Sequence, residues 1–443
     1  MIRLASVLLL CAFAGAALAT PRIQQWSTAN GAQVYFVPAP GIPMVDVRVV
    51  FDAAASRDGD QPGLAKLSIG MLNEGAAGLT ATQLTERLDD LGAELSLQAL
   101  RDMAYIQLRS LSDPDILAAG VDTVALMLTA PDVPQDAFDR VRNQMLVGLR
   151  YTQQKAGSRA GDALFAELYD SHPYAHPDDG TEESLNALTP DHARAFLAKH
   201  LVGANAIVAI VGDLDRAGAE RLADGLVGKL PRGERPAPLP APPAPAEART
   251  LRLEHPGQQT HILLGQPVAS RGDPDWFPLY VGNQILGGGG LTSRLSDEVR
   301  QQRGLAYSAG SAFTPMRVAG PFLLSAQTRN DQTDQALTVM RDTLRRFVAE
   351  GPTPEEVDAT RKNLRGGFPL RIASNGKILD YIAMIGFYGL PLDYLDQFDA
   401  NIAAVTAESV RDAFQRRVDP ERMTTVLVGN GVAQADRNGQ TPP

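Results

Sequence analysis

Cysteine is nearly absent from this chain, with one in 443 residues, at position 11. That position lies in an N-terminal leader, so the body of the protein has no thiol, no disulfide and no cysteine metal site. No long basic run is present, and the formal net charge is −10. This argues against nucleic acid or an anionic membrane surface as partner. An acidic body suits basic peptides, but charge alone selects no substrate. A Gly-x-Ser-x-Gly elbow is missing as well, so no serine-hydrolase nucleophile can be named. Long apolar runs are lacking outside the first 19 residues. There Arg3, an apolar stretch from Ala5 to Ala14, and Ala17-Leu18-Ala19 before Thr20 read as a secretory signal peptide. A membrane anchor needs a longer apolar span. Leu10, just before Cys11, stands where a lipoprotein signal wants a small residue. The expectation is an exported, periplasmic protein with no membrane attachment after cleavage.

What remains is a chain of ordinary globular composition, 44% apolar and 21% charged, long enough for two or three domains with their own cores. Pro-Ala-Pro-Leu-Pro-Ala-Pro-Pro-Ala-Pro, within residues 231–250, marks a stiff, extended linker. The halves it separates repeat each other. The stretch from Pro134 to Asn143 has its echo from Pro354 to Asn363, an offset of 220. Leu188 through Asp213 matches Val405 through Asn430 at an offset of 217. Matches over several elements at nearly one offset indicate a duplicated unit. The expected organisation is a signal peptide at 1–19, a first domain at 20–230, the linker at 231–250, a second domain at 251–434 and a tail at 435–443.

Within a unit, Asn30-Gly31 marks a hairpin turn and Val45, Val47, Val49 and Phe51 alternate as a half-buried strand. Ala104, Ile106 and Leu108 mark another strand, and Ala206 to Val211 a closing one. Helical spacing runs through Thr82 to Leu91, Pro134 to Gln153 and Pro190 to His200. Strands and helices mix without strict β-α-β alternation. The fold class expected is α+β: two duplicated domains, each a mainly antiparallel sheet packed with helices.

One short helix carries the first functional signal. Gly63-Leu64-Ala65-Lys66-Leu67-Ser68-Ile69-Gly70-Met71-Leu72 places Leu64, Leu67, Met71 and Leu72 on one face. Its frame, Gly-Leu-Ala-x-x-x-x-x-Met-Leu, resembles the motif helix of the insulinase–pitrilysin family of zinc metallopeptidases. In that family the inner positions spell His-x-x-Glu-His, two zinc ligands and a general base. Here those slots hold Lys66, Ile69 and Gly70, a cation, an aliphatic side chain and no side chain at all. The resemblance puts the third ligand, a carboxylate, near Asn143 to Leu149, yet Val141 to Gln154 contains no Asp or Glu. The resemblance therefore implies a family member with no metal site of its own. His172 and His176, in His-Pro-Tyr-Ala-His-Pro, have the spacing of a helical zinc pair, but Pro173 opposes regular helix. The family carries a similar His-Pro-Tyr segment followed by Gly-Thr-Glu, matched by Gly180-Thr181-Glu182, which reads as structural. His192, His200, His255 and His261 are scattered.

The second half carries the other signal. Gly287-Gly288-Gly289-Gly290-Leu291-Thr292-Ser293-Arg294-Leu295 leads into a segment with Arg300 and Tyr307. No Gly-Lys-Ser/Thr follows, which leaves no phosphate-binding loop. A glycine-rich loop followed by Arg-x6-Tyr resembles the second-domain signature of the same family. The resemblance implies that Arg300 holds a substrate carbonyl by forked hydrogen bonds and that Tyr307 donates to an oxyanion, both in trans. It assigns Gly287, Gly288, Gly289 and Gly290 to substrate handling. The function implied is a non-catalytic subunit of a heterodimeric zinc peptidase. Its partner, a homologue bearing His-x-x-Glu-His, would hold the zinc, and peptides would be the substrates. A peptide-binding or structural protein with no part in hydrolysis is the alternative.

Overall fold

A computed structural model describes residues 21–244 and 247–432. The leader at 1–19 and the tail at 435–443 lie outside the described residues. The first half contains strands β1 (Gln24–Ser27), β2 (Gln33–Pro38) and β3 (Met44–Phe51), then helix α1 (Leu64–Gly70). A small hairpin, β4 (Gly75–Ala76) and β5 (Leu79–Thr80), leads to α2 (Ala81–Asp89), β6 (Glu94–Ala99) and β7 (Ala104–Leu111). Helices α3 (Pro114–Thr129), α4 (Gln135–Gln153), α5 (Ala156–Tyr169), α6 (Glu182–Ala187) and α7 (Pro190–His200) precede β8 (Ala206–Gly212) and α8 (Arg216–Val227).

The second half repeats this order without counterparts of β1, of the β4–β5 hairpin and of the last helix, and with a short helical turn at Ser296–Gln301 in place of α2. It runs through β9 (Thr250–Glu254), β10 (Gln259–Ala269), α9 (Trp276–Asn283), β11 (Ala306–Phe313) and β12 (Gly320–Arg329). Helices α10 (Thr333–Glu350), α11 (Pro354–Arg371), α12 (Asn375–Tyr388), α13 (Tyr394–Ala404) and α14 (Ala407–Arg417) follow, and β13 (Thr424–Gly429) closes it.

The two sheets have one topology. The first is ordered β1-β2-β8-β3-β7-β6 and the second, read from β9, β9-β13-β10-β12-β11, so that β1 is an added edge strand. Each is antiparallel except for one parallel pair, β2 with β8 and β9 with β13. Matched local chemistry produces matched elements. Thr189 before α7 and Thr406 before α14 both form capping boxes, each closing an orphan N–H with the threonine hydroxyl. One face of the first sheet buries Phe36, Val47, Val49 and Phe51 against Leu67, Ile69, Met71 and Phe138. The second sheet buries Ile262, Leu264, Phe322 and Leu324 against Leu286, Leu344 and Phe414.

The opposite faces are covered reciprocally. Helix α12, from the second half, lays Leu379, Ile382, Ala383 and Phe387 onto Tyr35, Val50, Ile207 and Ala209 of the first sheet. Helix α5, from the first half, lays Ala160, Leu164 and Leu168 onto Val426 and Val428 of the second. At about 2 kcal/mol for each large apolar side chain removed from water, these contacts make each sheet depend on the other half's helix. Each crossing helix ends in a tyrosine that bonds the opposing hairpin. Tyr169 donates to the Ala319 carbonyl at 3.1 Å, and Tyr388 donates to Asp102 at 3.0 Å. The proline-rich connection is pinned along its way, with Arg57 donating to the Ala237 carbonyl and His172 to that of Pro240.

Candidate functional site

Helix α1 starts where Gly63 turns the chain at φ +89°, a conformation that favours glycine. The buried Asp58 carboxylate caps it, accepting the N–H groups of Gly63 and Ala65 at 2.7 Å each. Burial pushes the Asp58 pKa up to about 7, against the pull of those two donors. Around it stand Arg101, ion-paired with Asp178 at 2.8 Å, and His176, whose pKa burial lowers. This cap was not legible from the sequence. A buried aspartate five residues before a Gly-Leu-Ala helix start is the only sign of it.

The three motif slots have other occupations. Ile69, 3% exposed, is part of the core. Lys66 points outward and pairs with Asp179. The place a Gly70 side chain would take is faced by Val141 of α4 at 3.6 Å. Further along α4, Val147 and Tyr151 stand exposed on the stretch without carboxylates. An aliphatic core residue, a paired cation and a glycine offer no donor to zinc, so this helix does not fit the metal. Among the described residues, no three His, Cys, Asp or Glu side chains are grouped to hold a metal ion. His172 is used on both ring nitrogens. Nδ1 accepts the Tyr174 N–H at 3.0 Å, which leaves Nε2–H to donate to the Pro240 carbonyl at 3.0 Å. The His-Pro-Tyr segment thus holds the linker, and it leads to the Thr181 capping box of α6.

The second-half residues do come together. A helical turn at Ser296–Gln301 carries Arg300 next to its end, and Gly304, at φ +60°, reverses the chain into β11. The Arg300 carbonyl accepts the Gly304 N–H at 2.9 Å, fixing that reversal. The spacing of Arg-x6-Tyr therefore covers one turn of helix, one reversal and the first two residues of a strand. It sets the Arg300 guanidinium 4.9 Å from the Tyr307 ring centre. Tyr307 is 81% exposed on an edge strand, so its hydroxyl is free to meet a ligand.

The glycine run is more ordered than a loop. Gln284–Gly288 extends α9 as a wide helical turn, and Gly290–Thr292 adds a tight one. A Cβ on Gly287 would stand 2.3 Å from the Ser311 amide nitrogen, so this glycine lets the turn lie directly on β11. Gly288 and Gly289 are similarly hemmed by Asn283 and Gln284, and only Gly290 faces open space. Arg294 anchors the far end through paired bonds to Glu356 at 2.8 and 2.6 Å. The run is thus held next to the Tyr307 strand, with Gly290 and Leu291 as its exposed tip.

Comparison with known proteins gives this geometry its context. Residues 187–364 match the peptidase M16 inactive domain. The crystal structure of a peptidase M16 inactive domain from Pseudomonas fluorescens is 39% identical and superposes with a TM-score of 0.90, covering 93% of this chain and 98% of that one. The non-peptidase homolog YmxG of Helicobacter pylori is 24% identical, over 88% of this chain and 90% of its own length. An uncharacterized zinc protease of Streptomyces coelicolor is 28% identical, over 81% of this chain and 79% of its own. The chain belongs to the M16, or insulinase-type, peptidase family, as a non-catalytic member.

Proposed function

We propose that this protein is the non-catalytic subunit of a heterodimeric M16 peptidase. Its partner is a homologue carrying His-x-x-Glu-His, which holds the zinc that activates water for peptide hydrolysis. This chain presents Arg300 and Tyr307 to the peptide lying between the subunits. The observation carrying the reading is a pairing of opposites. The motif helix has been given over to the core, while the half-buried Arg300 stays assembled with the exposed Tyr307. A guanidinium packed against the ring is held for forked donation to a substrate carbonyl. The neighbouring phenol donates to the oxyanion that develops when that carbonyl is attacked. Gly290 and Leu291, at the tip of the glycine-rich turn, contact the peptide beside the pair. The signal-peptide pattern at 1–19 supports a periplasmic location for the subunit.

The test is co-purification with the His-x-x-Glu-His homologue, followed by peptide hydrolysis with Arg300→Ala and Tyr307→Phe. A lost oxyanion donor lowers kcat by about 10²-fold, so Tyr307→Phe is expected to act on kcat and Arg300→Ala on KM as well. Full activity in both variants overturns the reading. Peptide binding without any His-x-x-Glu-His partner favours the alternative of a peptide-binding protein with no role in hydrolysis.

A further inference from the structure

Two segments on either side of the glycine run depart from regular helix in the same way. At Gln284–Gly288 the Gly289 N–H reaches back to the Gln284 carbonyl at 2.8 Å. At Ser296–Gln301 the Gln302 N–H reaches back to the Asp297 carbonyl at 2.9 Å. Both bonds span five residues, one more than in an α-helix. Turns of this width are rare and gather at functional sites. Among the described residues these are the only two. A third irregularity adjoins them. Ala306 pairs with Thr328 and Ala309 with Ala326, so Tyr307 and Ser308 together oppose Gln327 alone. Such a bulge re-aims the side chains it carries.

Between the wide turns the chain runs out to a tip and back. Thr292 Oγ1 donates to the Gly289 carbonyl at 3.0 Å and Ser293 Oγ to that of Gly290 at 2.7 Å, closing the tip on itself. Gln301 then ties the tip to the second wide turn, its side-chain amide donating to the Leu291 carbonyl at 2.7 Å. Arg300 is the residue before it, so one side chain bridges the tip to the backbone that carries the guanidinium. Leu291 thus has a fixed carbonyl while its side chain stands 58% exposed. A leucine held out to water gains nothing from the fold. A fixed apolar contact binds better than a mobile one, because less freedom is lost on binding. Arg303 and Arg346 on the same surface are both engaged by Glu298. Among the described residues Arg300 is paired with no carboxylate and has the Tyr307 ring beside it.

We propose that Gln301 is a positioning residue for the peptide. By holding the Leu291 carbonyl it sets the Leu291 side chain as a fixed contact beside Arg300 and Tyr307. It thereby makes the glycine-rich tip and the pair a single unit, and it touches no substrate itself. The inference rests on the reading of this protein as the peptide-handling subunit of a peptidase pair, and adds how its tip is kept in place.

The test uses the co-purified pair and, as probe, one internally quenched peptide that the wild-type pair cleaves. Gln301→Met keeps the length of the side chain without its donor, and Gln301→Lys keeps a donor. Losing a neutral hydrogen bond changes an equilibrium constant by about two- to tenfold. Gln301→Met is therefore expected to raise KM by about two- to tenfold with kcat within about twofold of wild type, and Gln301→Lys to stay near wild type. Leu291→Ala is expected to raise KM as well. Adding Gln301→Met to Leu291→Ala should raise it no further, because the glutamine acts through that side chain. Thermal melts confirm that the variants are folded. An unchanged KM in Gln301→Met, an equal rise in Gln301→Lys, a loss confined to kcat, or additive effects in the double variant overturns the inference. Lost activity in Arg300→Ala and Tyr307→Phe, measured alongside, leaves the peptidase reading standing in those cases. Full activity in both of these variants, or a wild-type pair that cleaves no peptide, overturns that reading and this inference with it.

Discussion

Removing the Asp102 carboxylate is expected to weaken the joint between the two halves more than any other single polar substitution. Asp102, 4% exposed, accepts from the Tyr174 hydroxyl, from the Arg317 N–H at 2.7 Å and from the Tyr388 hydroxyl at 3.0 Å. Two of these donors belong to the second half of the chain. Hydrogen bonds to a charged group contribute about 1.5–3 kcal/mol each, but they are not additive. The burial cost of the carboxylate is also relieved when it is removed. Removing the acceptor leaves up to three buried donors unpaired at about 1–3 kcal/mol each, and Asp102→Ala is expected to cost about 3–5 kcal/mol. Tyr388→Phe removes one donor to the carboxylate and is expected to cost about 1.5–3 kcal/mol. The assay is urea unfolding followed by tryptophan fluorescence. The chain has two tryptophans, Trp26 in the first half and Trp276 in the second, so Trp276→Phe and Trp26→Phe backgrounds report each half separately. Both halves should unfold together when Asp102 is present and separate when it is alanine. A loss below about 1 kcal/mol, with the two transitions still coincident, would refute the argument that this carboxylate joins the halves.

Two further outcomes follow from buried groups. His200, 3% exposed, has its pKa lowered by burial, and secondarily by Lys199, from 6.5 to about 4. The folded chain then resists a proton that the unfolded chain accepts, so stability falls as pH drops from 6.5 towards 4, by up to about 3 kcal/mol. His200→Gln should flatten that part of the pH–stability profile measured by urea midpoints, and an unchanged slope would rule the histidine out. Gly287→Ala forces a Cβ to within 2.3 Å of the Ser311 nitrogen and 2.8 Å of the Gly310 carbonyl carbon, backbone atoms that cannot rotate away. It should cost about 1–3 kcal/mol by overpacking and displace the glycine-rich turn from β11, read as a lowered melting temperature and faster amide exchange at Ser311.

Much of this architecture is legible in the sequence because it rests on local rules. Leu64, Leu67, Met71 and Leu72 mark α1, helical spacing marks α7, and the repeat offset carries it over to α14 and foretells two sheets of similar topology. The vacancy of the zinc motif is likewise legible, since Lys66, Ile69 and Gly70 lack the chemistry wherever they fold. Other features depend on distant packing. Periodicity leaves residues 156–169 unassigned, and no local rule states that α5 covers the other half's sheet. The glycine run reads as a mobile loop because glycine lacks local preference. Its helical turns come from the close approach to Ser311. His255 and His261 look scattered because strand register, rather than sequence spacing, brings them to one cleft.

The crossing of α5 and α12 has a historical reading. Two copies of one unit that each lend the same helix to the other form a swapped homodimer, an arrangement in which a single gene suffices and every residue acts twice. Fusing the copies through the proline-rich connection releases that constraint. A substitution then falls on one face alone, and the twin faces can diverge, one covered through Leu379 and Phe387 and the other through Ala160 and Leu164.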